Sequence, residues 1–299
     1  MHLPSEMLNG AVCPVSAAAA AGGVALAAYA LVRGKSKAPS AKMFALVSAA
    51  VFGLQMLNYP VTDGISGHLI GGAFAAVLLG VPAGILSLAL VLTLQTLLFA
   101  DGGLSMLGAN TVNMALLGAG ASGAVFYALK KRGCSFPLCV FFAGFLSVFA
   151  AVGALSVELA VSGKASADVI GTLLKTHLAL AVVEGAFSAA FLTFVSTAER
   201  GRGISKKAVL SLSAIILVSL LAAPFASAFP DAFEWTMGQF SLLPDAPNFA
   251  RAPFPEYEVS GISSGIASSM FAGFIGMFMT ALLGFAAMHP LNRAAKVKE

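Results

Sequence analysis

Long apolar runs separated by short polar joints organise this chain. Nine can be read, at residues 14–33, 43–59, 67–80, 83–100, 106–129, 136–162, 169–196, 208–229 and 263–288. A helix needs about 20 mostly apolar residues to cross a hydrocarbon core, and most of these runs have that length. The pattern predicts an all-α integral membrane protein, a polytopic helical bundle of about nine apolar segments. The third run is short. Fourteen residues of helix reach about 21 Å, against a core of roughly 30 Å. A competing parse joins 67–100 into one long helix interrupted at Pro82.

Charge decides between the two parses. With a turn at Gly80-Val81-Pro82, the basic clusters at 33–42, 130–132, 200–207 and 293–298 share one side of the membrane, and they hold 14 of the 17 Lys and Arg. With one long helix, the first cluster opposes the other three. Cytoplasmic loops carry the excess of Lys and Arg, which favours the turn. The expected topology is therefore N-terminus outside and C-terminus cytoplasmic. Glu6, Asp63, Asp101, Asp168, Asp231, Glu234, Asp245, Glu256 and Glu258 then fall outside, with only Lys164 and Arg251 as basic residues there. An anionic outer face raises the local concentration of cations. Acidic residues that simply ignore the inside rule would give the same bias.

Composition agrees with this picture. Of 299 residues, 59% are hydrophobic and 10% charged, with a mean hydropathy of +0.92. A soluble domain carries about 25% charged residues. The pI near 9.0 follows from the basic loops and implies no nucleic-acid partner. Cys13, Cys134 and Cys139 form no metal or disulfide pattern. No basic residue precedes the run beginning at Pro14, while Arg33, Lys35, Lys37 and Lys42 follow it. A secretory signal has the opposite order, so Met1 is expected to be retained outside. The segment 230–262 is the only sizeable polar stretch. It divides the chain into a membrane core, 1–229, and an outer loop plus last helix, 230–299.

The candidate chemistry lies in the histidines. His289 sits at the cytoplasmic end of the last run, where interfacial solvation accounts for it. His2 follows an α-amine. That amine, the amide nitrogen of His2 and its imidazole can close fused chelate rings around three corners of a square. Tetragonal nitrogen sites suit Ni²⁺ and Cu²⁺, and low-spin Co²⁺ is reasonable. His68 lies in Ser66-Gly67-His68-Leu69-Ile70-Gly71-Gly72 at the outer mouth of the short third run and can supply the fourth nitrogen. An interfacial histidine bonded to a backbone carbonyl is the ordinary alternative. Gln95, Asn110 and Asn113 share the same half of the membrane and can orient the imidazoles or simply tie helices together. His177 and Glu184, seven apart, share a helix face. They read as a second cation station, a structural pair or a contact to a partner helix. Lys175 and Glu158 lie at similar depth and are expected to pair.

Several function classes lack their motifs here, which weakens those readings. The chain has no G-x-x-x-x-G-K-[ST] phosphate loop and so no ATPase site of its own. It has no H-E-x-x-H motif of a metalloprotease and no arginine ladder.

At these residues the sequence resembles the cobalt/nickel permease family, the CbiM/NikM substrate-binding components of energy-coupling-factor (ECF) transporters. The resemblance rests on Met-His-Leu-Pro at 1–4, Ser-Gly-His-Leu-Ile-Gly-Gly at 66–72, Asp-Gly-Gly-Leu at 101–104, Leu-Gly-Ala-Asn at 107–110, Asn113-Met114, and His177 with Glu184-Gly185. It covers about residues 1–229. It implies a metal held by the Met1 amine, the His2 amide and imidazole, and the His68 imidazole. The residues themselves make Ser66, Gln95, Asn110, Asn113, His177 and Glu184 candidates to orient those groups or line a transit path. It also implies partners, a transmembrane coupling (T) subunit and two ATPase subunits, in a bacterial plasma membrane. The tail is similar to the small accessory subunit of these systems, CbiN/NikN. Pro230-Asp231-Ala232-Phe233-Glu234 resembles a Pro-Asp-Gly-Leu-Glu motif from which Ala232 and Phe233 depart, and Pro255-Glu256-Tyr257-Glu258-Val259 resembles the stretch before the last span. The expected function is capture of nickel or cobalt from outside and ATP-driven delivery inward, with no covalent chemistry and no cofactor. A self-sufficient secondary transporter using a His177/Glu184 relay is the rival.

Overall fold

The computed structural model describes residues 1–62, 64–196, 206–245 and 251–296; Asp63, Arg200, Arg202 and Lys298 lie outside them. The chain is a helical bundle. In order it contains α1 (Val12–Val32), α2 (Ala41–Met56), β1 (Tyr59–Thr62), β2 (Ile65–Gly67), α3 (Gly72–Leu79) and α4 (Val81–Phe99). A rod from Leu104 to Lys131 follows. It starts as a 3₁₀ turn, continues as α5 (Leu107–Asn110), widens to a π-helix over Thr111–Ala121 and ends as α6 (Ser122–Lys131). Then come α7 (Phe136–Val161), α8 (Ala167–Ser196), α9 (Lys206–Ala222), α10 (Ala232–Gln239) and α11 (Gly265–Lys296). Among the described residues seven helices are long and apolar enough to cross a membrane, and α2 is a shorter apolar helix. The protein is thus a multi-pass membrane protein.

Local chemistry sets the boundaries. Ser40 caps α2 by accepting the Met43 N–H at 3.2 Å, and prolines stand in the first turns of α4 and α7, where a missing N–H costs nothing. The chain turns at Gly80, with φ +83°, so the single long helix over 67–100 does not form. The loop at 36–40, the Gly80 turn and Tyr127 surround one cavity, and Asn292 of α11 bonds Ala41 N–H and the Pro39 carbonyl. The described basic clusters therefore gather at one end of the bundle.

The third apolar run differs from its reading as a short span. Helix begins only at Gly72 and lasts eight residues, about 12 Å. Residues before it pair instead with Tyr59 and Pro60 in a small antiparallel hairpin, absent from an all-α expectation. Gly71 then takes φ +75°, a conformation that favours glycine, as the chain enters α3. The Glu184 carboxylate of α8 holds this bend by accepting the Ile70 and Gly71 N–H groups at 2.6 and 2.8 Å. Irregular backbone at membrane depth is tolerated where protein satisfies its polar groups, and here a buried carboxylate does so.

The hairpin and the N-terminal segment share the end opposite the basic clusters. The segment beyond residue 230 covers them. Within it, α10 was not foreseen from sequence, although Asp231 and Glu234 form a full capping box at its start. The last helix, α11, packs along α2.

Candidate metal site

Residues 1–5 descend into the bundle rather than lying on its surface. The Asp101-Gly102-Gly103 turn makes room for them. A side chain at Gly103 would strike the Ser5 backbone, and the Gly103 N–H donates to the Leu3 carbonyl at 2.8 Å. Asn110 of α5 completes the clamp. Its Oδ1 accepts the Leu3 N–H at 2.9 Å, and its amide donates to the Leu3 carbonyl at 3.4 Å. The π-wound stretch follows directly, and such widened turns recur at functional sites.

This clamp delivers the first two residues to His68. The Met1 amine lies 2.7 Å from His68 Nε2. The His2 and His68 rings stack with centroids 5.2 Å apart. His68 Nδ1 lies 3.2 Å from the Leu69 carbonyl, so it donates and leaves Nε2 with its lone pair toward the amine. All three residues are buried. Among the described residues no three side chains of His, Cys, Asp or Glu converge on a metal position. The nitrogen cluster exists only because main-chain atoms of residues 1 and 2 take part.

Two carboxylates hold this cluster. Asp231 Oδ2 contacts the Met1 amine at 2.5 Å and lies 4.0 Å from His68 Nε2, while its Oδ1 accepts the Phe233 and Glu234 N–H groups at 2.8 Å each. Asp101 Oδ1 lies 3.1 Å from His2 Nδ1, and its Oδ2 accepts the Tyr257 hydroxyl at 2.7 Å. The segment beyond residue 230 therefore touches both histidine arms, through Asp231 directly and through Tyr257 by way of Asp101. A cavity of about 580 Å³ opens over the cluster, walled by His2, His68, Asp101, Asp231, Glu234 and Glu256 among others.

The electrostatics follow from burial and from these contacts. Burial holds the His2 imidazole below its ordinary value, against the pull of Asp101. Burial, then the neighbouring amine, hold His68 well below. Burial alone would raise the Asp231 carboxyl, but the ammonium and His68 beside it keep it under the usual carboxylate range. Burial and then the Asp231 charge push Glu234 up, and burial and Asp101 push the Tyr257 hydroxyl well above its usual value. A neutral His2 donates once, to Asp101. Its Nε2 faces Gln95 Oε1 at 3.2 Å, while Gln95 Nε2 is buried without a partner. Turning that amide over gives both groups a hydrogen bond.

The structure brings together Met1, His2, His68, Gln95 and Asn110. It gives the remaining candidates other partners. Ser66 donates its hydroxyl to the Phe229 carbonyl at 2.6 Å and its N–H to the Pro230 carbonyl at 2.9 Å, so it anchors the hairpin to the start of the C-terminal segment. Asn113 donates to Glu158 at 2.8 Å, and Ser16 donates to the other carboxylate oxygen of Glu158 at 3.2 Å. Glu158 thus pairs with these and not with Lys175. His177 Nδ1 bonds the Leu173 carbonyl at 2.8 Å, whereas Glu184 bonds the Ile70–Gly71 backbone, so the two are not joined as a pair. Asp101, Asp231 and Tyr257 are the contacts that sequence reasoning missed. The signal for Asp231 was its capping-box spacing to Glu234, which shows a helix start but not what the free oxygen reaches.

Comparison with known proteins agrees with this architecture. The family model described as the cobalt uptake substrate-specific transmembrane region, CbiM, matches residues 2–201. A protein of Archaeoglobus fulgidus with the provisional name fused nickel transport protein NikMN is 33% identical over 257 residues, covering 82% of this chain and 84% of its own. A cobalt transport protein CbiM of Sorangium cellulosum is 33% identical over 204 residues, covering 65% of this chain and 91% of its own. A crystal structure titled as a transition metal transporter superposes with a TM-score of 0.58 at 27% identity, covering 68% of this chain and 95% of that one. The first relative is named as a fused protein. These relatives are transport proteins and not enzymes. The chain belongs to the CbiM family of cobalt uptake substrate-specific transmembrane proteins, in its fused form.

Proposed function

We propose that this protein captures divalent nickel or cobalt from outside the cell and delivers it inward. The Met1 amine, the His2 amide nitrogen and imidazole, and the His68 imidazole would hold the ion. One observation carries this reading, the 2.7 Å approach of the Met1 amine to His68 Nε2 beside a stacked His2 ring. Metal–nitrogen bonds of about 2.0–2.1 Å place neighbouring corners of a square about 2.9 Å apart, so these two nitrogens already stand at about one edge. Loading turns His2 from Asp101 and the amine from Asp231, and it releases protons, because each donor must present a lone pair. Orientation follows from the gathered basic loops, which would face the cytoplasm of a bacterial plasma membrane.

The chain would act as the substrate-specific subunit of an ATP-driven ECF importer, with a transmembrane coupling (T) subunit and two ATPase subunits as partners. The family's description as substrate-specific and the lack of a phosphate loop support this division of labour. The rival relay through His177 and Glu184 has less support, because each bonds backbone rather than the other.

The test is nickel binding to the purified full chain. Acetylating Met1, or His2→Ala, should weaken binding at least about 100-fold and remove the absorption of planar four-nitrogen nickel, since each deletes a chelate ring. Stoichiometric nickel retained by the acetylated chain would falsify the site. Uptake should also vanish without the ATPase subunits; uptake that persists, or that collapses with an uncoupler at constant ATP, would favour the relay.

A further inference from the structure

A second nitrogen donor stands beneath the proposed site. His177 lies in α8 and is 1% exposed. Its Nδ1 is 2.8 Å from the Leu173 carbonyl. A carbonyl only accepts, so Nδ1 carries the proton and Nε2 carries the lone pair. That Nε2 is buried with no hydrogen-bond partner. His177 lines a small cavity of about 10 Å³, whose other walls include Met1, His68, Asp231, Val148 and Leu180. The volume suits one water or one dehydrated ion, and no hydrated ion would fit. An unpaired imidazole lone pair beside two of the proposed ligands is a donor set for a borderline transition metal.

A closed square of four nitrogens has an exit problem. Square-planar d⁸ Ni²⁺ exchanges ligands by association, and planar low-spin d⁷ Co²⁺ likewise has open axial positions, so a fifth donor binds before one of the four leaves. We propose that His177 Nε2 is that entering ligand, and that the cavity beside it is the first inner station for the nickel or cobalt ion. This rests on the site proposed above. The step is redox-neutral. A metal–nitrogen bond to His177 forms as the bond to the Met1 amine or to His68 breaks, and the ion remains divalent. A released Met1 amine can return to its contact with Asp231.

The experiment compares His177→Gln and His177→Cys in the full chain. Gln keeps much of the shape and a donor for Leu173 but removes the imidazole lone pair. Cys changes the shape and restores a metal-binding atom. Both variants should bind one nickel with the wild-type planar absorption. Uptake of radioactive nickel by cells should fall at least about tenfold with Gln and recover at least about threefold from that level with Cys. Uptake within twofold of wild type for Gln overturns the proposal. So does Cys performing no better than Gln, because shape and not donation would then matter. Loss of the resting nickel in both variants overturns it too, since His177 would belong to the resting set or to the fold. A wild-type chain with no planar nickel would instead sink the site itself.

Discussion

Asp231 reaches across 230 positions of sequence to hold the amine of Met1 at 2.5 Å. The other oxygen of the same carboxylate caps α10. One residue of the C-terminal segment thus starts its own helix and fastens the N-terminus of the core, joining the two parts at the proposed metal site.

These two jobs separate by substitution. Asp231→Asn should preserve the cap, because Asn is as good an N-cap as Asp. It should still lose about 3 kcal/mol of stability, at the low end of the 3–5 typical of a broken buried pair, because Asn keeps a polar oxygen beside the amine. The pH dependence has a definite sign. Asp231 is depressed in the folded protein, so its contribution is fully present above the ordinary carboxylate range and is lost as pH falls through its lower folded value. Thermal unfolding in detergent as a function of pH should show this acid arm in wild type and a flatter one in Asp231→Asn. Equal acid sensitivity would remove the ion pair from the account.

Glu184 touches none of the proposed ligands, yet it should control one of them. Its carboxylate accepts two adjacent N–H groups at Ile70 and Gly71, two and three residues past His68. Glu184→Gln presents a single carbonyl oxygen to the pair. A hydrogen bond to a charged group contributes about 1.5–3 kcal/mol, so a loss of that order and a fall in nickel affinity of about 10- to 100-fold are expected. Titration and uptake should decline together. Uptake abolished with binding intact would point to a transport relay through Glu184 instead.

Asn110 offers a cleaner probe of the N-terminal clamp. Asn110→Ala removes both bonds to Leu3 and leaves a buried N–H unpaired, since the Leu3 carbonyl keeps Gly103. The expected cost is about 1–3 kcal/mol, with weaker nickel binding although no proposed ligand changes. Hydrogen exchange at the Leu3 amide should accelerate at least about tenfold. An unchanged exchange rate would show that other contacts hold the segment.

Much of the scaffold could be read from sequence. Segment positions, the turn at Gly80 and the gathering of the described basic loops at one end follow from local hydropathy and charge, which the bilayer turns into spans and sides. Met1 and His2 stood out because an amine followed by histidine has chelate chemistry that depends only on covalent neighbours, and His68 because it lies in a glycine-flanked stretch at the mouth of the short third run. The short third run was ambiguous. Apolar residues at 65–71 serve equally as helix or as buried extended chain, and the hairpin partner at Tyr59 decides between them.

The sequence by itself therefore determined the membrane class, the broad order of helices and the nitrogens proposed to chelate through bonded neighbours. Those properties are set by composition and by spacing along the chain. Only the tertiary structure decided that Asp231 meets the Met1 amine, that Tyr257 reaches His2 through Asp101, that Glu184 braces the bend after His68, and that His177 keeps a bare lone pair beside the cluster. The first three are contacts between residues far apart in sequence, made specific by burial, and the last is a polar atom that the packing leaves without one. Inside the bundle every unpaired polar group is costly, so packing chooses each partner, and no local pattern records that choice.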